Sequence, residues 1–118
     1  MTQEGVTILD VAEHDTTMSG NPVKYLSVAE GQIVSHLVEV APGGQTGVHK
    51  HPVACYMYVL DGVLTVELND GTRRQYEAGE SFLEDPDSWV NNLNTGTEPA
   101  KFLAVIPSGA GLAPIEFQ

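Results

Sequence analysis

His49 and His51 stand one residue apart in the stretch that runs from Gly43 to Gly62. On an extended strand, alternate side chains share a face and follow one another at about 6–7 Å. Two imidazoles set that way can converge on one ion, whereas a helix would turn them roughly 200° apart. Imidazole suits Zn, Fe, Ni or Cu, so the expected cofactor is a divalent transition metal. Two histidines leave such a site short of ligands. Cys55 is the third candidate: on a regular strand its register puts it on the face of His49 and His51, and a bound metal would take it as the thiolate. Two simpler roles stand beside these. The histidines could be polar strand-entry residues with local hydrogen bonds. Cys55 could be a small buried hydrophobe, with Pro52 breaking the strand between it and the pair.

Other side chains near the pair have mostly structural readings. Gln45, Asn91, Asn92 and Asn94 could each offer an oxygen, but asparagine at a turn more often fixes backbone. His36 reads as a core or interface histidine, and Met57 as a wall residue. Tyr56, Tyr58 and Trp89 read as packing aromatics with wet or bonded polar tips. Glu84, Asp85 and Asp87 form an acidic turn, expected to be solvated. No carboxylate is placed beside His49 by its position in the chain, so no general acid–base pair is legible.

The elements that must hold the histidines are short strands. Gln32 to Ala41 alternates, with Val34, His36, Val38 and Val40 on one face and Ile33, Ser35, Leu37 and Glu39 on the other. Both faces are largely apolar, so this strand is expected to be covered on both sides. Ala54 to Leu60 follows the histidines. Val63 to Leu68 and Thr72 to Tyr76 flank Asp70-Gly71, which predicts a hairpin with a type I′ turn. Ser81 to Leu83, Trp89 to Leu93 and Lys101 to Ile106 complete the strong strands. Val6 to Leu9 and Val23 to Val28 are candidate strands before them, and the segment from Ser108 to Gln118 reads as extended or loose. No window keeps a 3.6-residue period. Strands and turns in this rhythm predict an all-β fold, a small barrel or jelly roll that buries its edges.

The composition narrows the partners. The chain has 118 residues, enough for one domain, and 42% of them are hydrophobic, enough for a packed core. A formal charge of −11 repels phosphate backbones and anionic lipid, so neither nucleic acid nor membrane is an expected partner. A single cysteine allows no intrachain disulfide. No apolar run approaches the roughly 20 residues of a membrane span. The first residues lack the basic start and apolar stretch of a signal peptide, so a cytoplasmic location is expected.

The motif around the histidines reads Gly43, five residues, His49-Lys50-His51, three residues, Cys55, six residues, Gly62. These spacings resemble the first motif of the cupins, with cysteine where that motif has glutamate. The second cupin motif is matched at Gly79 and Asn94. Asp85 and Asp87 stand at its proline and glycine positions, and Val90 stands where it has histidine. The chain thus resembles a small single-domain cupin over residues 31–107. The resemblance implies a double-stranded β-helix barrel with a metal held by three His and one Glu, and a dimer in solution. Of the family's ligands only His49 and His51 carry over.

The expected organisation is one domain over residues 1–118. Its core barrel spans 31–107, with N-terminal strands in 5–28 packing on it or on a partner subunit. The functional expectation is a metal-binding barrel for a small molecule, with an enzyme of the dioxygenase, isomerase or lyase type as one outcome. A ligand-binding barrel without turnover and a degenerate, metal-free cupin are the others. Fold alone does not choose among them.

Overall fold

The computed structural model describes residues 2–25 and 27–118. Its strands are β1 (Thr2–Gln3), β2 (Val6–Thr7), β3 (Gly31–Val40), β4 (His49–Lys50), β5 (Cys55–Asp61), β6 (Val63–Glu67), β7 (Arg73–Glu77), β8 (Ser81–Glu84), β9 (Asn91–Leu93), β10 (Ala100–Gly109) and β11 (Glu116–Phe117). Among the described residues there is no helix. The fold is the all-β jelly roll that the alternating runs predict.

Two sheets face each other. One has the order β3-β10-β5-β8, all antiparallel neighbours. The other begins as β7-β6-β9. The bridges Gln45↔Leu93 and His49↔Val90 extend it through the segment that carries β4, and β11 pairs with β4 beyond. The period-2 pattern decides what lies between the sheets. Met57 and Val59 on β5, Phe102, Ala104 and Ile106 on β10, and Leu64 and Val66 on β6 are buried together. Truncating any of the larger ones to alanine would cost about 2–5 kcal/mol, the lost transfer energy plus a cavity.

Two glycines carry the turns that set this register. Gly71 has φ 85° and closes the β6–β7 hairpin, but Asp70 is not in the positive-φ region. The turn is therefore not the expected type I′ pair; the Asp70 carboxylate instead accepts the Thr72 N–H at 2.9 Å. Gly62 has φ 72°, and a Cβ there would lie 2.4 Å from the Pro99 carbonyl oxygen. Only glycine lets β5 turn into β6 against that backbone.

Several expectations need correction. Val23 to Val28 forms no strand over its described residues, with Leu26 lying outside them; Pro22 makes only an isolated bridge to Thr16. The N-terminal segment is instead pinned at a few points. Met18 donates its N–H to the Leu83 carbonyl, and Asp85 accepts from the Thr17 hydroxyl and the Asn21 amide. The strand expected to stop at Ile106 runs on to Gly109, because beyond Val105 only β3 lies beside it and Pro107 can occupy a half-open position. The expected two-sided cover of β3 is absent from the single chain: Ile33 is 70% exposed and Leu37 64%.

Candidate metal centre

The chain leaves one sheet and enters the other between Lys50 and Cys55. β4 belongs with β9 and β11, and β5 belongs with β8 and β10. The strand does not stay regular past His51, so the register that would align Cys55 with both histidines is lost. His49 and His51 nevertheless meet, their rings 5.1 Å apart and edge to face. The residue that joins them is Glu84. Among the described residues, His49, His51 and Glu84 form the group whose ligand atoms all lie within 4.8 Å of one another, and Cys55 is not part of it.

Glu84 reaches this place because it is the direct antiparallel partner of Cys55 in the β5–β8 ladder. Directly paired residues share a face of the sheet, so the carboxylate projects inward beside the thiol. Glu84 is fully buried and Asp85 nearly so, which corrects the expectation of a solvated acidic turn; Asp87 alone of the three is exposed. Cys55 points its Sγ to the Val53 carbonyl at 3.4 Å. Burial, and then the charge of Glu84, push its thiol far above the usual range. Its burial and its place outside the cluster favour the simpler reading of a small buried hydrophobe.

The hydrogen bonds around the cluster decide where its lone pairs point. His49 Nδ1 lies 2.8 Å from the Gly47 carbonyl oxygen, and His51 Nδ1 lies 2.7 Å from that of Pro114. A carbonyl only accepts, so both Nδ1 atoms carry the proton and donate. In the neutral rings both Nε2 atoms are then lone pairs. They face Glu84 Oε1 at 4.0 Å from His49 and 3.4 Å from His51. Asn92 Nδ2 donates to the other oxygen, Oε2, at 3.3 Å and holds the carboxylate in orientation. His51 Nε2 and Glu84 Oε1 are buried with no hydrogen-bond partner. With both rings neutral, three acceptors thus converge on one buried point.

A cation fits that arrangement. Donors each about 2.1 Å from one ion sit roughly 3–4 Å apart, and the two histidine–carboxylate distances, 4.0 and 3.4 Å, fall in that range. In the metal-free state a proton partly takes the cation's place. Burial alone would lower the pKa of His51, but the Glu84 carboxylate and the Pro114 carbonyl outweigh it and raise the value.

The remaining candidates fall into place around this centre. Val90 is buried and exchanges both backbone hydrogen bonds with His49, at 2.8 Å each. It puts an apolar side chain next to His49 in the sheet. Asn94 fixes backbone, donating to the Val40 and Glu98 carbonyls. Asn91 donates to Gln45 and accepts the Gly47 N–H. A cavity of about 440 Å³ opens beside the histidines, and His36, Met57, Asn92, Ile115 and Phe117 are among its walls. The C-terminal segment, expected to be extended or loose, lies against the cluster. β11 pairs with β4, Phe117 packs on the His49 ring at 5.9 Å, and Pro114 holds His51. Nothing in its Gly- and Pro-rich sequence signals this.

The cupin-domain family model matches residues 36–106, more than half of the chain. This chain belongs to the cupin family. It is 28% identical over 95 residues to the cupin-domain-containing oxidoreductase fogC of Aspergillus ruber, covering 79% of this cupin and 46% of that protein. This cupin therefore spans about half the length of its curated relative. A structure of Bacillus subtilis oxalate decarboxylase, concerned with its Mn(II) centres, aligns at 27% identity and a TM-score of 0.59. The alignment covers 72% of this cupin and 23% of that chain. An oxalate oxidase structure aligns at 25% identity and a TM-score of 0.59, over 72% of this cupin and 45% of that chain. The His-His-Glu cluster could hold a divalent metal.

Proposed function

We propose that this cupin is a metal-dependent enzyme acting on a small organic molecule, with His49, His51 and Glu84 as its ligands. The observation that carries the proposal is the convergence of three buried potential ligand atoms beside the cavity, His51 Nε2 and Glu84 Oε1 among them without a hydrogen-bond partner. Two imidazoles and one carboxylate are a donor set for Fe(II) and other divalent first-row ions, and they leave coordination positions open. Zn, Fe, Ni and Cu remain candidates on imidazole chemistry, and the carboxylate and the Mn(II) relative add manganese. Bound there, such an ion would act as a Lewis acid on a substrate oxygen or accept an exogenous ligand.

The chain's own residues supply the rest. The Gly47 and Pro114 carbonyls fix the ring tautomers, and Asn92 presents one carboxylate oxygen. Met57 and Phe102, both buried, give the cavity beside the centre an apolar wall. Such outer partners raise ligand basicity and hold the ligands in place.

The same reading includes a homodimer, supported by the exposed Ile33 and Leu37 on β3, an edge strand whose apolar face is unusual to leave in water. It includes a cytoplasmic location away from nucleic acid and membrane, supported by the net charge of −11.

Nitric oxide, a probe of open positions on ferrous sites, tests the proposal. Fe(II)-loaded protein under anaerobic conditions should give a paramagnetic nitrosyl signal that disappears in Glu84→Ala. Iron that loads but takes up no nitric oxide would rule out an open catalytic site.

A further inference from the structure

The cavity beside the histidines is poor in charge. Neither lysine nor arginine lines it, its ionisable residues besides His49 and His51 are the exposed His36 and Glu39, and much of its wall is Val38, Val40, Met57, Phe102, Ala104 and Phe117. Most of its polar groups are already committed. Gln45 accepts from Asn91, and the Thr46 hydroxyl donates to the Gly47 carbonyl and accepts the Asn92 N–H.

Among its buried polar groups outside the metal centre, Asn92 is the exception. It lines the cavity and is 1% exposed. Its Nδ2 faces a carboxylate oxygen, which accepts, so the amide cannot be turned the other way round. Its Oδ1 is then an acceptor, buried and without a partner. An orphaned acceptor in a closed wall is costly, and a ligand that brings an O–H or N–H donor removes that cost.

Charge restricts the ligand further. A divalent ion with the Glu84 carboxylate leaves a net charge of about +1 in a buried site. A neutral or singly charged ligand suits it. A small dianion would leave a buried negative charge with no lysine or arginine on the cavity wall to meet it.

Resting on the metal centre proposed above, we propose that the cavity takes a neutral or singly charged molecule with an apolar ring or chain. One of its oxygens binds the ion, and an adjacent O–H or N–H donates to Asn92 Oδ1. This makes Asn92 a specificity-determining residue as well as the holder of Glu84, and it sets the cavity apart from one built for a compact dianion such as oxalate.

The test uses Co(II)-loaded full-length protein, its metal content measured first and ligand binding followed by its visible spectrum. Four probes separate the contributions: benzohydroxamate, acetohydroxamate, N-methylbenzohydroxamate and oxalate. The hydroxamates share one chelating head with a single charge. Benzohydroxamate should bind about tenfold or more tighter than acetohydroxamate, which lacks the ring. It should bind about tenfold tighter than its N-methyl form, which lacks the N–H donor. That second ratio should collapse towards one in Asn92→Leu, and oxalate should bind least. If the leucine variant fails to load cobalt, the wild-type ratios alone decide. Full cobalt occupancy with oxalate bound as tightly as benzohydroxamate, or with no effect of the N-methyl group, overturns the ligand assignment and leaves the metal centre standing. Failure of the wild type to take up cobalt overturns both.

Discussion

Glu84 stands directly across the β5–β8 ladder from Cys55. The cupin motif puts a carboxylate on the strand that follows the histidines, and this chain has a thiol there. Because paired residues share a face, a carboxylate one strand over enters nearly the same space. In the proposed centre the acid comes from the neighbouring strand, beside the two histidines.

The C-terminal strand positions a ligand. Pro114 holds His51 Nδ1, and Phe117 covers His49. Deleting residues 114–118 should lower metal affinity about 10–100-fold, as loss of an outer-shell partner does. The far-UV spectrum should stay that of a β protein, since β11 pairs only with β4. A deletion variant that binds metal as tightly as the full chain would show that the strand only covers the surface.

Metal affinity should depend on pH through His51. Its pKa is raised in the metal-free fold, so that fold gains stability from the charged ring below the ordinary histidine value of about 6.5. The gain is lost as pH rises through the raised value. Metal needs the unprotonated Nε2, so affinity should climb as pH rises through that same value and level off above it. Metal titrations at several pH values between about 5.5 and 8.5 check this. A flat profile would mean that no proton leaves His51 on binding.

The exposed apolar face of β3 should close a two-fold dimer. Leu37→Lys should shift the protein to a monomer in analytical ultracentrifugation at tens of micromolar, with the fold intact. A wild type that sediments as a monomer at that concentration would remove the dimer.

How much of this was legible in the sequence differs by residue. Alternation gave the strands around Val38, Met57 and Leu64, because a two-faced sheet writes its burial at period 2. His49 and His51 were legible because their convergence needs only one local spacing. Glu84 was not. Its role depends on its pairing with Cys55, a contact between strands that no local pattern encodes. Pro52, weighed as a possible break, was the available hint that the strand would not carry Cys55 alongside the histidines. The part played by Pro114 was hidden for another reason: it contributes a backbone carbonyl, which every residue has.

Elemental analysis of the purified protein tests the three-ligand centre most directly. Wild type, Cys55→Ala and Glu84→Gln are prepared without affinity tag or chelator, and metal per chain is measured in each. The account predicts close to one divalent ion per chain in wild type and in Cys55→Ala, and loss of most of it in Glu84→Gln at unchanged fold. Metal retained in Glu84→Gln but lost in Cys55→Ala would contradict it.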